Sequence, residues 1–172
     1  MGITVDFAPV VDVNSNPSNP VIGYRSFGED PERVAALAKA FTRGLETGGV
    51  MAVAKHFPGH GDTSSDSHKT LPVVSRSRSE LDAVELLPFK TLIDDGIGGV
   101  MVGHLNVPSI DKGIPASLSP KVINGLLKKE MGFDGIVFTD ALEMKGAKVG
   151  DGTNNCVSAL LAGADVLLGP GN

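Results

Sequence analysis

The fourteen residues from Lys55 to His68 read K-H-F-P-G-H-G-D-T-S-S-D-S-H and hold three histidines and two aspartates around Pro58, Gly59 and Gly61. The proline and glycines make this a shaped loop. Histidine titrates near neutrality, so a loop rich in it suits proton transfer. Asp66 lies two residues before His68, close enough in sequence for its carboxylate to orient the imidazole and raise its pKa. A zinc site is the competing reading, but Pro58 and the neighbouring glycines forbid the helix that would present His56 and His60 on one face, and His68 lies eight residues further on.

A second candidate is Asp140, which ends the apolar run Ile136–Thr139. Desolvating a carboxylate is costly, so an aspartate at the end of a buried strand calls for a use. Two uses are open: a reactive carboxylate, or the N-cap of a following helix. His104, after the run Gly98–Val102, could line a pocket or be a hydrogen-bonded structural histidine. Cys156, the one cysteine, is expected within a helix and has no neighbouring base to make it a nucleophile.

Five β-rich runs position these residues: Ile3–Ala8, Gly49–Ala54, Gly98–Val102, Ile136–Thr139 and Asp165–Leu168. They lack strict alternation, which suits parallel strands covered on both faces. Between them lie four helical stretches. The first spans Asp30 to Thr47, with Asp30 as N-cap, Pro31 at the first position and Gly48 as stop. Its buried stripe is expected to be Val34, Leu37, Ala38, Phe41 and Leu45. The second is expected from Ser79, capped with Asp82, to near Gly96, with a kink or break at Pro88. The third opens at Ser119-Pro120 and closes at Gly132; the fourth covers about Asn155 to Ala162.

The β-α order fits a doubly wound sheet or a (β/α)8 barrel. Asp12, Lys55-His56, His104 and Asp140 each come after a strand, and a barrel builds its site from many strand ends. No G-x-G-x-x-G phosphate loop follows any strand, so the barrel is preferred. Five units are not eight, and the N-terminus starts almost within a strand, so the chain is expected to be part of something longer.

The 172 residues are 41% hydrophobic and 20% charged with net charge −5, which fits a globular domain and gives no basis for nucleic acid or an anionic membrane as partner. No segment reaches the roughly 18 apolar residues of a membrane span.

K-H-F-P-G-H-G followed by D-S-H (Asp66–His68), and G-F-D-G-x-x-F-T-D-A-L-x-M (Gly132–Met144), resemble glycoside hydrolase family 3, in its β-N-acetylglucosaminidase branch. Val5–Val13, Ile22–Pro31 and Ala162–Leu168 extend the resemblance in order over nearly the whole chain. It implies a TIM-type (β/α)8 barrel and a retaining hydrolase without cofactor or metal. Its substrate would be a glycan ending in β-linked N-acetylglucosamine, such as a bacterial cell-wall fragment. By the same resemblance Asp140 is the nucleophile, His68 the acid/base paired with Asp66, and Lys55, His56 and Arg25 bind the sugar. Phosphorolysis through the same intermediate and an inactive sugar-binding remnant are the alternatives.

The family's D-Q-E-G-G-like motif, which precedes V-D-F-A-P, has no counterpart here. The expectation is therefore the later five or so βα units of a barrel, completed by a missing segment or another chain. Open sheet edges would otherwise be exposed.

Overall fold

The computed structural model describes residues 2–64, 70–147 and 155–170. Its sheet contains β1 (Val5–Asp6), β2 (Met51–Phe57), β3 (Gly99–Val102) and β4 (Ile136–Thr139), in the order β1-β2-β3-β4. All three pairings are parallel. Val166 bridges Phe138 in parallel, adding the fifth run on the far side of β4. Each strand thus lies beside its predecessor, always in the same direction. A doubly wound sheet reverses direction at its switch point, so this order is that of a (β/α) barrel arc.

β1 is shorter than its apolar run, but hydrogen bonds to β2 continue past it, from Met51 N to the Thr4 carbonyl through Val11 N to the Lys55 carbonyl. β2 is longer than expected, because Lys55, His56 and Phe57 complete the strand before the loop begins.

The helices are α1 (Pro31–Thr47), α2 (Arg78–Ala83), α3 (Leu86–Asp94), α4 (Pro108–Asp111) and α5 (Asn155–Ala162), with a π-helix over Lys121–Glu130. Asp30 caps α1 as expected, its side chain accepting the Arg33 N–H at 2.7 Å. The buried stripe of α1 is Val34, Ala35, Ala38 and Thr42. Leu37 and Phe41 lie on the exposed flank instead, with Phe41 6.0 Å from the ring of Phe27. The second cap is Ser77 with Glu80, not Ser79 with Asp82. Glu80 reaches back to the Ser77 N–H at 2.8 Å, whereas Asp82 pairs with Arg78 one turn earlier. The helix breaks at Val84-Glu85, upstream of Pro88. Pro88 becomes the third residue of α3, where a missing N–H leaves no intrahelical bond unmade.

The sheet has two apolar faces. Ala52, Ala54, Val100, Val102 and Val137 face the helices in the large core. Val53, Met101 and Phe138 face the other way, forming a small inner cluster with Phe7, Met51, Val166 and Leu168. Burial on both faces explains why the strands do not alternate. Ile3 before β1, Val5 in β1, and Val157, Leu160 and Leu161 on α5 remain exposed at the two ends of the arc. Among the described residues no helix is long and apolar enough to cross a membrane.

Candidate active site

Strand geometry places two candidate residues directly above the inner cluster. Side chains repeat every two residues on one face, so Val53 leads to Lys55 and Phe138 leads to Asp140. The register between β2 and β3 slips between Lys55 and Phe57, giving a bulge at His56. That irregularity lets successive side chains, Lys55 and His56, turn toward one cavity. It measures about 230 Å³, and Arg25, Lys55, His56 and Asp140 line it with His60 and the apolar Phe7, Val21, Met101 and Leu168.

Asp140 Oδ1 accepts the N–H of Ala141 at 2.8 Å, the adjacent residue. A helix N-cap would bond two or three residues on, and the chain after Asp140 instead makes a turn into the short 3₁₀ segment Lys145–Ala147. The N-cap use of Asp140 is therefore set aside. Burial, with the nearby Arg25 charge, pulls the Lys55 ammonium below the usual lysine range, while the Asp140 charge opposes this. A desolvated cation beside a carboxylate is suited to donate strong hydrogen bonds to a polar ligand.

The wall behind the cavity is organised by Asp12, which is completely buried. Its carboxylate accepts from His56 N at 3.2 Å, His56 Nδ1 at 2.7 Å and His60 N at 2.7 Å. Burial pushes the Asp12 pKa up, but the charges and hydrogen bonds of His56 and His60 outweigh it and hold the carboxyl below its ordinary range. An ionised Asp12 only accepts, so His56 carries its proton on Nδ1. That leaves Nε2 facing Arg25, whose Nη2 is 3.5 Å away. His60 is buried, which lowers its pKa, and its Nδ1 lies 2.7 Å from Thr63 Oγ1.

Two glycines let the histidine loop pack this closely. A Cβ on Gly61 would sit 1.7 Å from the Val13 carbonyl oxygen. Gly59 has φ +127°, and a Cβ there would meet Glu85 at 2.6 Å. Asn19 ties the loop to its neighbour: Nδ2 donates to the His60 carbonyl at 2.8 Å, and Oδ1 accepts from Val21 N and Ile22 N. Arg76 Nη2 donates to Ser15 and Asp62, and its Nε lies 2.7 Å from Glu85.

His104 is brought elsewhere. It is fully buried, with Nδ1 2.7 Å from Ser117 Oγ and Nε2 2.9 Å from the Ala141 carbonyl. It supports the backbone after Asp140 and does not line the cavity. Asp66 and His68 lie outside the described residues. Among the described residues no group of three or more His, Cys, Asp or Glu side chains could hold a metal ion.

Sequence reading placed Asp12 at a strand end but gave it no role, and it did not single out Asn19 at all. Asp12 had one signal, its place just after a strand. Asn19 had none beyond a proline-rich turn.

Residues 1–172 match the glycosyl hydrolase family 3 N terminal domain. The β-hexosaminidase LpqI of Mycobacterium tuberculosis is 47% identical over 176 residues, covering 98% of this chain and 45% of that protein. A family 3 β-N-acetylglucosaminidase structure from Paenibacillus sp. superimposes with TM-score 0.94 at 48% identity, over 97% of this chain and 32% of that one. NagZ of Neisseria gonorrhoeae, in complex with N-trifluoroacetyl-D-glucosamine, gives TM-score 0.87 at 40% identity, over 97% of this chain and 48% of that one. The chain spans about half the length, or less, of the curated relatives it matches. On fold, family match and identity together, the chain belongs to glycosyl hydrolase family 3.

Proposed function

We propose that this site removes terminal β-linked N-acetylglucosamine, with retention, from glycans such as cell-wall fragments. The observation that carries the reading is the Asp140 carboxylate at the end of β4, free of a capping role and sharing its cavity with Lys55, His56 and Arg25. The relatives named β-hexosaminidases, and the N-acylated glucosamine bound in the gonococcal structure, support this substrate class.

In the first step an Asp140 oxygen attacks the anomeric carbon, and the bond to the leaving oxygen breaks as His68 gives it a proton. In the second, His68 takes a proton from water, which displaces Asp140 and releases the sugar. Asp66 holds the His68 imidazole and favours its charged form. Retaining glycosidases more often use two carboxylates about 5 Å apart; a neutral histidine base avoids repulsion with Asp140. Lys55, Arg25 and His56 Nε2 orient the sugar hydroxyls.

The barrel itself is proposed to be completed by further βα units, from a longer protein or a second chain. The exposed apolar residues at both ends of the arc support this. A monodisperse, folded monomer of this chain would count against it.

Hydrolysis of an aryl N-acetyl-β-glucosaminide, compared with the Asp140→Ala variant, tests the function. Turnover abolished by the substitution is expected. Equal rates from both proteins would refute a working site in this chain.

A further inference from the structure

Tyr24 is the chain's one tyrosine, and the chain has no tryptophan. Its side chain is fully exposed, yet the backbone beneath it is firmly held. Gly23–Arg25 forms a 3₁₀ turn, closed by Arg25 N to the Ile22 carbonyl at 2.8 Å and Ser26 N to the Gly23 carbonyl at 3.2 Å. Ile22 anchors that turn in the interior, and buried Asn19 accepts the N–H groups of Val21 and Ile22 at 2.8 Å each. An aromatic ring on a rigid turn, facing solvent, is a presented surface rather than core filling.

Tyr24 is one of the residues lining an open cavity of about 560 Å³. Val21 and Arg25 line both this space and the cavity of Asp140. Pro17 and Pro20 add apolar surface, and Asn14 and Asn19 line the same space. A flat aromatic, apolar walls and a few amide groups suit a pyranose ring, whose C–H face is apolar and whose edge is polar. A glycosidase that cleaves between two sugars needs such a place beside its nucleophile.

We propose that this second cavity receives the leaving-group sugar, a pyranoside stacked on Tyr24. The inference rests on the glycosidase reading above and extends it to the leaving-group side of the bond. Because the chain has no other tyrosine and no tryptophan, its intrinsic emission reports Tyr24 alone.

The test titrates the whole chain with N-acetylglucosamine and with its thio-linked β-disaccharide, which resists cleavage, by tyrosine emission and calorimetry together. The disaccharide is expected to bind about three- to tenfold more tightly than the monosaccharide, the range of one aromatic contact, and to alter the emission saturably. Tyr24→Ala should abolish that advantage with monosaccharide affinity unchanged, and Tyr24→Phe should keep it. Monosaccharide binding accompanied by silent emission with disaccharide, or an advantage retained in Tyr24→Ala, overturns the inference alone. Binding of neither sugar overturns the glycosidase reading and this inference with it.

Discussion

Replacing Asp12 by alanine takes the acceptor from three buried N–H groups: His56 N, His56 Nδ1 and His60 N. Each stranded buried donor costs about 1–3 kcal/mol. The three contributions overlap, so the expected loss is about 4 kcal/mol. In a chain of this length that lowers Tm by about 8–16 °C. Asp12→Asn should fall between, because its amide oxygen accepts one N–H while its NH2 group meets another donor. The pH dependence has a definite sign. Burial raises the Asp12 pKa, but the two histidines bring it below its ordinary 3.8. A depressed carboxylate pKa contributes stability above the unfolded value and loses it as pH falls through the folded one. The penalty of Asp12→Ala should therefore hold at pH 5–8 and shrink only below about pH 4. Urea unfolding followed by circular dichroism at several pH values measures this. The His56 imidazole should also lose its orientation, reducing kcat/KM at least about tenfold. An alanine variant within about 1 kcal/mol of the parent, with kcat/KM intact, would refute the reasoning.

Burial pushes the Glu85 carboxyl up to about 7, with Arg76 opposing. Its neutral form therefore contributes stability fully below about pH 4.5, lost as pH rises through 7; urea midpoints should show Glu85→Gln gaining about 2–3 kcal/mol on the parent between pH 5 and pH 8. Gly61→Ala would place its Cβ 1.7 Å from the Val13 carbonyl, so thermal unfolding should show a loss of at least about 3 kcal/mol. Arg25→Lys keeps the charge but loses the planar fork, and steady-state kinetics should show KM raised about tenfold with little change in kcat.

The strands were legible because a parallel sheet buried on both faces leaves short apolar runs in the sequence, and α1 because Asp30-Pro31 and Gly48 punctuate it. The second cap was ambiguous, since Ser77 and Ser79 each have an acid three residues later. The longer reach of Glu80 decided it. Lys55, Arg25 and Asp140 were readable through their motifs, and the structure brings them to one cavity. Strand parity would have separated His104 from them: Val100 and Val102 face the helices, and His104 continues that face. His56 breaks the same parity through the bulge, a register irregularity invisible in sequence. Asp12 meets His56 across 44 residues of chain, a contact made by tertiary packing and written in no local pattern.

The central claim, that Asp140 forms a covalent bond to the sugar, can be met directly. A 5-fluoro N-acetylglucosaminyl fluoride should form its glycosyl-enzyme faster than water releases it, so intact mass spectrometry would show one added sugar unit. Peptide mapping should place that unit on Asp140, with no adduct in Asp140→Ala. An adduct on another residue, or none while an aryl glycoside is turned over, would contradict the mechanism.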